Sequence, residues 1–491
     1  MNAISSQNDI KASILYIEEK YPVDLWEVNG IKVWPYIRIK LYIHFLMMMN
    51  KSIDRETKQK KDVVEKKRNL LNLFLELIIS FVKLNLFFFK LNKKKYLLFG
   101  SHIQRVKQNG LYFNRFYDAL SDLYGLQEEV YMMEFQKVYT NSYNKGAIIT
   151  LEKNIHYYKN IQKVVSKFKK NSDVSNLPDY KLFYEYLKKI PVRLDLLKIG
   201  EKDLLKWTNK IHFIKPFFKR FYKKVQPNTI SFLGFYGYDD LYAALLTANQ
   251  NGIKTVDFQH GPQTNIHMVY SSWTKFPKEG YDLMPKEFWN WDEFSKENIE
   301  SWSKKAAKIK TKVVGQPFVN YWLKHNSFEN KTNNNILYSL QTFPFEIQDM
   351  ITPKIIQLIK ELPYQWILRL HPRNYLKIDG IQVFLDNNNI SDKTIIQSSI
   401  DSPLPEVILN SIAHVTNFSG CLIEAHLLGK PTIIINNIGK EMFAQYLDNK
   451  SVFYLEQKNI DFELNFKNKI SFIKKNKNIT INKNFLNPFE Y

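Results

Sequence analysis

The sequence predicts an α/β protein: two parallel-sheet domains facing a cleft, preceded by an α-helical extension. Three observations predict it. From residue 96 onward, apolar runs of strand length alternate with amphipathic helical stretches, the pattern of parallel sheets with right-handed crossovers. An asparagine-rich polar segment, residues 326–335, divides that alternation in two. The length, 491 residues, suggests two to three domains. The expected division is a helical extension over 1–95, a first sheet domain over 96–325 and a second over 326–491.

Composition narrows the class. Hydrophobic residues make up 45% and charged residues 24%, enough apolar material for a core. The net charge of +22 favours anionic partners: nucleic acid, an anionic membrane surface or phosphorylated substrates. The single cysteine, Cys421, excludes an internal disulfide framework and a cysteine-based zinc cage. The first residues, Met1-Asn-Ala-Ile-Ser-Ser, carry no signal-peptide pattern, so a cytoplasmic protein is expected.

Residues 1–50 read as two short helices around an aromatic-rich turn that holds Trp26, Trp34 and Pro35. Residues 50–69 form a lysine-rich linker. Residues 70–89, LLNLFLELIISFVKLNLFFF, are the most apolar window. Three readings stand open for it: a core or docking helix, an in-plane membrane helix with basic flanks, and a membrane span. Glu76 and Lys83 inside the window weigh against the span, because charge near a bilayer centre is costly. Tyr96-Leu-Leu-Phe-Gly100 is the first strand, and residues 114–123 follow as a helix. Residues 126–225 show helical patterns at 180–194 and 204–222 and no repeat. Ile230-Ser-Phe-Leu-Gly-Phe-Tyr236, residues 239–251 and Thr255-Val-Asp-Phe-Gln-His-Gly261 then form strand, helix and strand, with Gly252 at the helix C-cap position. Residues 262–310 read as a long connection. In the second half, strands are expected at 336–340, 365–370, 395–397, 413–416 and 431–435. Helices are expected at 353–362 and 420–428.

Candidate chemistry gathers at strand ends, where open parallel sheets bind ligands. His260 follows a strand and precedes Gly261, a placement suited to proton transfer near neutral pH or to simple loop capping. Arg369-Leu-His-Pro-Arg373 ends a second-domain strand. It offers two guanidinium groups, Arg369 and Arg373, and the His371 imidazole for phosphate recognition. In Thr416-Asn-Phe-Ser-Gly-Cys-Leu-Ile-Glu424 a strand runs through a small, hydroxyl-bearing turn into a helix. Ser419, Gly420 and the free N–H groups there suit a phosphate, and Glu424, one turn on, suits ribose hydroxyls or the helix dipole. No G-x-G-x-x-G, Walker A, H-E-x-x-H or G-x-S-x-G pattern appears, which argues against standard dinucleotide, P-loop, zincin and α/β-hydrolase sites. No Asp-x-Asp ends a strand, so no metal is expected.

Taken in order, Gln259-His260-Gly261, Gly315-Gln-Pro317, the strand 337–341, His371-Pro372, Ser419 with Glu424, and Gly429-Lys-Pro431 resemble bacterial glycosyltransferases of GT-B architecture. That architecture is two Rossmann-like domains facing a cleft. The resemblance is to enzymes of capsule, O-antigen and teichoic acid assembly, including polysialyltransferase-like and Kdo-transferase-like enzymes. It covers roughly residues 225–435. It implies His260 as general base or acceptor-side catalytic residue, and His371 at the donor phosphate or nucleotide. It also implies Ser419 at the phosphate, Glu424 at the ribose, and His267 and Tyr270 on the acceptor side. The substrates it implies are a nucleotide-sugar donor, a CMP-sugar among the candidates, and a glycan or lipid-linked glycan acceptor. The site would need neither cofactor nor metal, and the chain would contact an anionic membrane at its inner face. Three departures matter. Many relatives carry two serines where Phe418-Ser419 has one. No acidic-acidic-Gly motif appears, which speaks against a CMP-sialic acid donor and a carboxylate base. The glycerophosphate polymerases usually carry Asp at the place of Glu424, which speaks against that activity.

Two other readings are open. A nucleotide-sugar 2-epimerase would need carboxylates near both His260 and the sugar. A basic nucleic-acid-binding protein would use the charge and the aromatic residues. However, the lysines are dispersed and no nucleic-acid motif is present, so no nucleic-acid partner is expected.

Overall fold

The computed structural model describes residues 4–49, 70–135, 138–165, 174–190, 192–306, 309–325, 334–341, 345–372, 378–447, 451–476 and 487–489. The predicted linker at 50–69 and most of the one at 326–335 lie outside these residues.

The N-terminal part is helical. α1 (Gln7–Lys20) starts in a capping box: Ser6 Oγ accepts the Asp9 N–H at 3.1 Å and the Asp9 carboxylate accepts the Ser6 N–H at 2.9 Å. A two-strand hairpin over 27–32 turns the chain into α2 (Trp34–Met49). α2 is apolar nearly all round, and the fold buries it: Trp34, Ile37, Leu41 and Phe45 are inaccessible, and Tyr36 stacks on Trp207 at 3.8 Å. α3 (Leu70–Lys90) lies on the surface. Among the described residues, no helix is long and apolar enough to cross a membrane.

Two all-parallel sheets follow. The first contains β1 (Tyr96–Ser101), β2 (Val130–Phe135), β3 (Ile148–Thr150), β4 (Thr229–Phe232), β5 (Lys254–Phe258), β6 (Glu287–Asn290) and β7 (Lys310–Val313). Its spatial order is β7-β6-β5-β4-β1-β2-β3. The second contains β8 (Asn335–Ser339), β9 (Gln365–Arg369), β10 (Thr394–Gln397), β11 (Ala413–Thr416), β12 (Thr432–Ile434) and β13 (Val452–Tyr454), in the order β10-β9-β8-β11-β12-β13. In each sheet the strand order reverses beside the first strand. That is the doubly wound Rossmann-like pattern, with its ligand crevice at the reversal. Two such domains face one another, the GT-B arrangement.

The sheets meet over a shared apolar cluster. Phe116, Phe258 and Trp291 of the first domain pack with Leu422, Ile423 and Tyr446 of the second. Tyr446 also donates to Asp292 at 2.6 Å. At the far end of the chain, Phe489 returns to the first domain and packs on Tyr96 and Trp289.

Three expectations are corrected. Residues 111–114 are the second strand of a hairpin, and the helix begins only at Tyr117, because the Asn114 side chain caps the Phe116 and Tyr117 N–H groups. Residues 126–225 contain strands β2 and β3. The connection at 262–310 contains β6 and the helix Glu293–Ser303.

Candidate active site between the two sheets

β5 ends at Phe258 and delivers Gln259-His260-Gly261 to the crevice. The buried Gln259 fixes that end: its Oε1 accepts the Trp291 N–H at 2.7 Å, and its Nε2 donates to Ser295 Oγ at 3.0 Å. His260 is half-buried and lies on the backbone of Gly234, at the end of β4. A Cβ on Gly234 would stand 2.9 Å from His260 Cε1, and its φ of +83° suits glycine alone. Beneath them Asp257 is wholly buried. Its two oxygens accept from the Gly234 N–H at 3.1 Å and Gln263 Nε2 at 3.2 Å. Desolvation pushes its carboxyl well above the ordinary range, an effect its hydrogen bonds oppose.

His267 and Tyr270 lie under this floor, Tyr270 buried and His267 half-buried. Desolvation, and then the neighbouring His260, push His267 down to about 3, so its ring is neutral. Its ring centre is 5.1 Å from Tyr270 and 5.1 Å from Tyr42 of α2. The N-terminal helices therefore support the loop that follows β5. A fully buried ion pair locks them there: Arg38 Nε meets Glu18 at 2.7 Å, and its Nη2 donates to the Ser271 and Ser272 carbonyls at 2.9 and 3.1 Å. Its guanidinium also covers Trp273 at 4.1 Å.

The opposite wall rises from the reversal point of the second sheet, between β8 and β11. Thr416 Oγ1 accepts from the Ser419 N–H at 2.9 Å and from Ser339 Oγ at 3.1 Å, which shapes the turn. Ser419 Oγ accepts the Cys421 N–H at 3.3 Å, where the helix Cys421–Leu427 starts. Gly420 touches the other domain: a Cβ there would be 3.0 Å from Pro262 Cδ. Glu424, 5% exposed, accepts from Gln316 Nε2 at 3.0 Å. Burial raises its pKa, and the charges of Arg115 and Arg369 oppose that shift.

Arg369 is also buried. Its Nη1 donates to Gln397 at 2.6 Å and its Nη2 to the Ser402 and Ser399 carbonyls at 2.8 and 3.2 Å, so both terminal nitrogens hold the loop after β10. Desolvation lowers its pKa to about 10. His371 stands half-buried in the turn after β9. Arg373 lies outside the described residues.

The structure thus brings the loop that bears His260 against the turn that bears Ser419 and Gly420, through Pro262, with Glu424 in the helix that follows and the charge of Arg369 acting on it. Sequence reasoning missed Arg115. It follows the hairpin strand Leu111–Asn114 and acts on Glu424, Arg369 and Cys421 across the cleft; its buried Nε makes no hydrogen bond among the described residues. Reading 114–123 as one helix hid it. Asp257 was missed because a carboxylate inside a strand carries no local mark of its partners. Among the described residues, no three His, Cys, Asp or Glu side chains converge as metal ligands would.

No protein-family model matches the chain, and no curated protein matches it. Solved structures do. UDP-GlcNAc 2-epimerase from Neisseria meningitidis bound to UDP-GlcNAc is 15% identical with a TM-score of 0.45, over 79% of this chain and 94% of that one. UDP-GlcNAc 2-epimerase from Methanocaldococcus jannaschii is 14% identical with a TM-score of 0.43, over 80% and 95%. The wall teichoic acid polymerase TagF, soaked with CDPG, is 12% identical with a TM-score of 0.37, over 83% and 93%.

Proposed function

We propose that the chain is a glycosyltransferase that moves a sugar from a nucleotide-activated donor to a surface-polysaccharide acceptor. It would work in the cytoplasm at the inner face of the cell membrane. One observation carries the reading: the His260–Pro262 turn of one sheet seats on Gly420 of the other, beside Ser419 and Glu424. A proton acceptor and a polar turn suited to phosphate then face each other across a cleft.

In this reading Ser419 and the adjacent backbone, with His371, hold the donor phosphate, and Glu424 accepts from the ribose hydroxyls. Arg115 supplies positive charge where the leaving nucleotide gains negative charge, the electrostatic help that transfer needs. His260 takes the proton of the acceptor hydroxyl, a step worth roughly 10²–10⁴-fold. Asp257 is a positioning residue, since it ties Gly234 and Gln263 around His260. His267 and Tyr270 shape the acceptor side from beneath. Pro262 against Gly420 is a closed contact, so substrates enter when the walls part and react when they meet.

The test is thermal unfolding with CMP, UDP, GDP, dTDP and CDP. A nucleotide at about 100 times its Kd adds about 2.7 kcal/mol of stability. Stabilisation by one nucleotide, lost in Ser419→Ala or Glu424→Ala, supports the donor site and names the base. No stabilisation at millimolar concentration refutes it. Conversion of a free nucleotide sugar without acceptor, followed by NMR, would replace transfer with 2-epimerisation.

A further inference from the structure

The nucleotide site leaves α3 unused. Its side chains divide into two stripes. Ser80, Leu84 and Phe88 are buried against the helices Leu151–Val165 and Glu201–Val225. Asn160 donates to Glu76 at 3.1 Å and Arg220 to Asn85 at 3.0 Å, which pins the helix lengthwise on the domain. The opposite stripe is apolar and bare. Phe74, Phe81 and Phe89 are 62%, 60% and 81% exposed, and Ile78, Ile79 and Leu86 lie among them. At 3.6 residues per turn this stripe spans roughly 160° of the helix. A patch of that kind marks an interaction surface.

Cations line both edges, and the one carboxylate of the helix, Glu76, sits on the Lys83 side, where it is taken up by Asn160 and His156. Lys83 and Lys90, both exposed, run along one side. On the other side Arg220, Lys223 and Lys224 join Phe81, Leu86 and Phe89 around a groove of about 800 Å³, and no carboxylate lines it. Apolar side chains between rows of cations match a layer whose surface is anionic and whose depth is hydrocarbon. A soluble protein partner would not need cations on both edges.

We infer that α3 is an in-plane docking surface for an anionic phospholipid bilayer. The phenylalanines enter the acyl boundary, and the lysines and Arg220 meet lipid phosphates. The helix cannot turn to cross the bilayer, because its other stripe is packed on the protein along its length. This names the surface behind the membrane location given above, and it rests on α3, not on the nucleotide site.

Co-sedimentation of the full chain with vesicles tests it. The probes are phosphatidylcholine vesicles with and without one part in three of phosphatidylglycerol. The full chain should sediment with the anionic vesicles. Phe81→Glu with Phe89→Glu should weaken binding about tenfold or more, and Lys223→Gln with Lys224→Gln about fivefold per cation, with the effect shrinking in high salt. Both pairs are exposed, so an unchanged unfolding temperature verifies the fold. Absence of binding to anionic vesicles, or variants that bind like the parent, overturns the inference. So does a dimer, seen by sedimentation velocity, that the apolar variant dissolves while vesicle binding stays. Nucleotide-dependent stabilisation should be the same in every variant, so failure here and failure of the donor site are read separately.

Discussion

The two sheets run in the same strand order, yet they are built up differently. The second keeps its core to itself: its main cluster runs from Ile336 to Ile473. The first sheet's main cluster draws in Ile14, Trp26, Trp34 and Ile37 from the N-terminal helices. The reason lies in the chain after β5. It carries Met268, Tyr270, Trp273 and Tyr281, which are buried in one apolar cluster with α1 and α2. The turn that bears His260 is therefore stiffened from outside its domain, through Glu18 and Arg38. The turn that bears Ser419 is stiffened from within, by Thr416 and by the close approach of Gly439 to the Asn417 carbonyl. A shared strand order about the reversal point places both turns; local packing decides what holds each of them.

The largest effect should come from cutting the external support. Arg38→Ala leaves Glu18 buried and unpaired, and should cost about 3–5 kcal/mol in urea unfolding. The loss should fall on the first domain, with the second domain's transition unmoved. A loss near zero would make the first domain as self-contained as the second. Next comes internal support. A Cβ at Gly439 would stand 2.0 Å from the Asn417 oxygen, so backbone must shift. Gly439→Ala should cost about 1–3 kcal/mol and weaken nucleotide binding. Gly234→Ala, which would press on His260, should cost a similar amount but spare nucleotide binding.

Each domain also holds a neutral histidine, the half-buried His267 in the first and the buried His414 in the second, both pushed down to about 3, chiefly by desolvation. Free histidine titrates near 6.5, so the unfolded chain binds more protons between about pH 6.5 and 3. Stability should therefore fall as pH drops through that window, by about 1.4 kcal/mol per unit for each histidine. Denaturant titrations at several pH values would show the slope, and His414→Phe should remove one histidine's share. The smallest effect is expected from Ser419→Ala. Losing the hydroxyl that caps the Cys421 N–H should cost about 1 kcal/mol or less of stability, so any large loss of nucleotide stabilisation in that variant reports binding.

Most of the second domain was legible in the sequence. Strands expected at 336–340, 365–370 and 413–416 lie at Asn335–Ser339, Gln365–Arg369 and Ala413–Thr416. Strands buried on both faces are continuous apolar runs, and that signal is local. In the first domain β2, β3, β6 and β7 escaped. β2 holds a carboxylate, Glu134, inside its apolar run, and β6 opens on one, Glu287. Each carboxylate is matched by a cation brought from elsewhere: Arg105 on Glu134 at 2.6 Å, Lys254 on Glu287 at 2.7 Å and Lys312 at 3.4 Å. At the site, the strand-end residues His260, Ser419 and Glu424 were visible because turns and helix starts have their own residue chemistry. Arg115 and Asp257 were not.

The sequence by itself determined much of the alternation of strands and helices, and the strand-end turns at which the candidate site residues stand. Those follow from periodicity and turn chemistry over a few residues. The tertiary structure alone decided which charges are buried and paired, which histidines stay neutral, and that Arg115 faces Glu424 across the cleft. The cost of burying a charge depends on what lies within a few ångströms of it, and in this protein those neighbours come from distant parts of the chain.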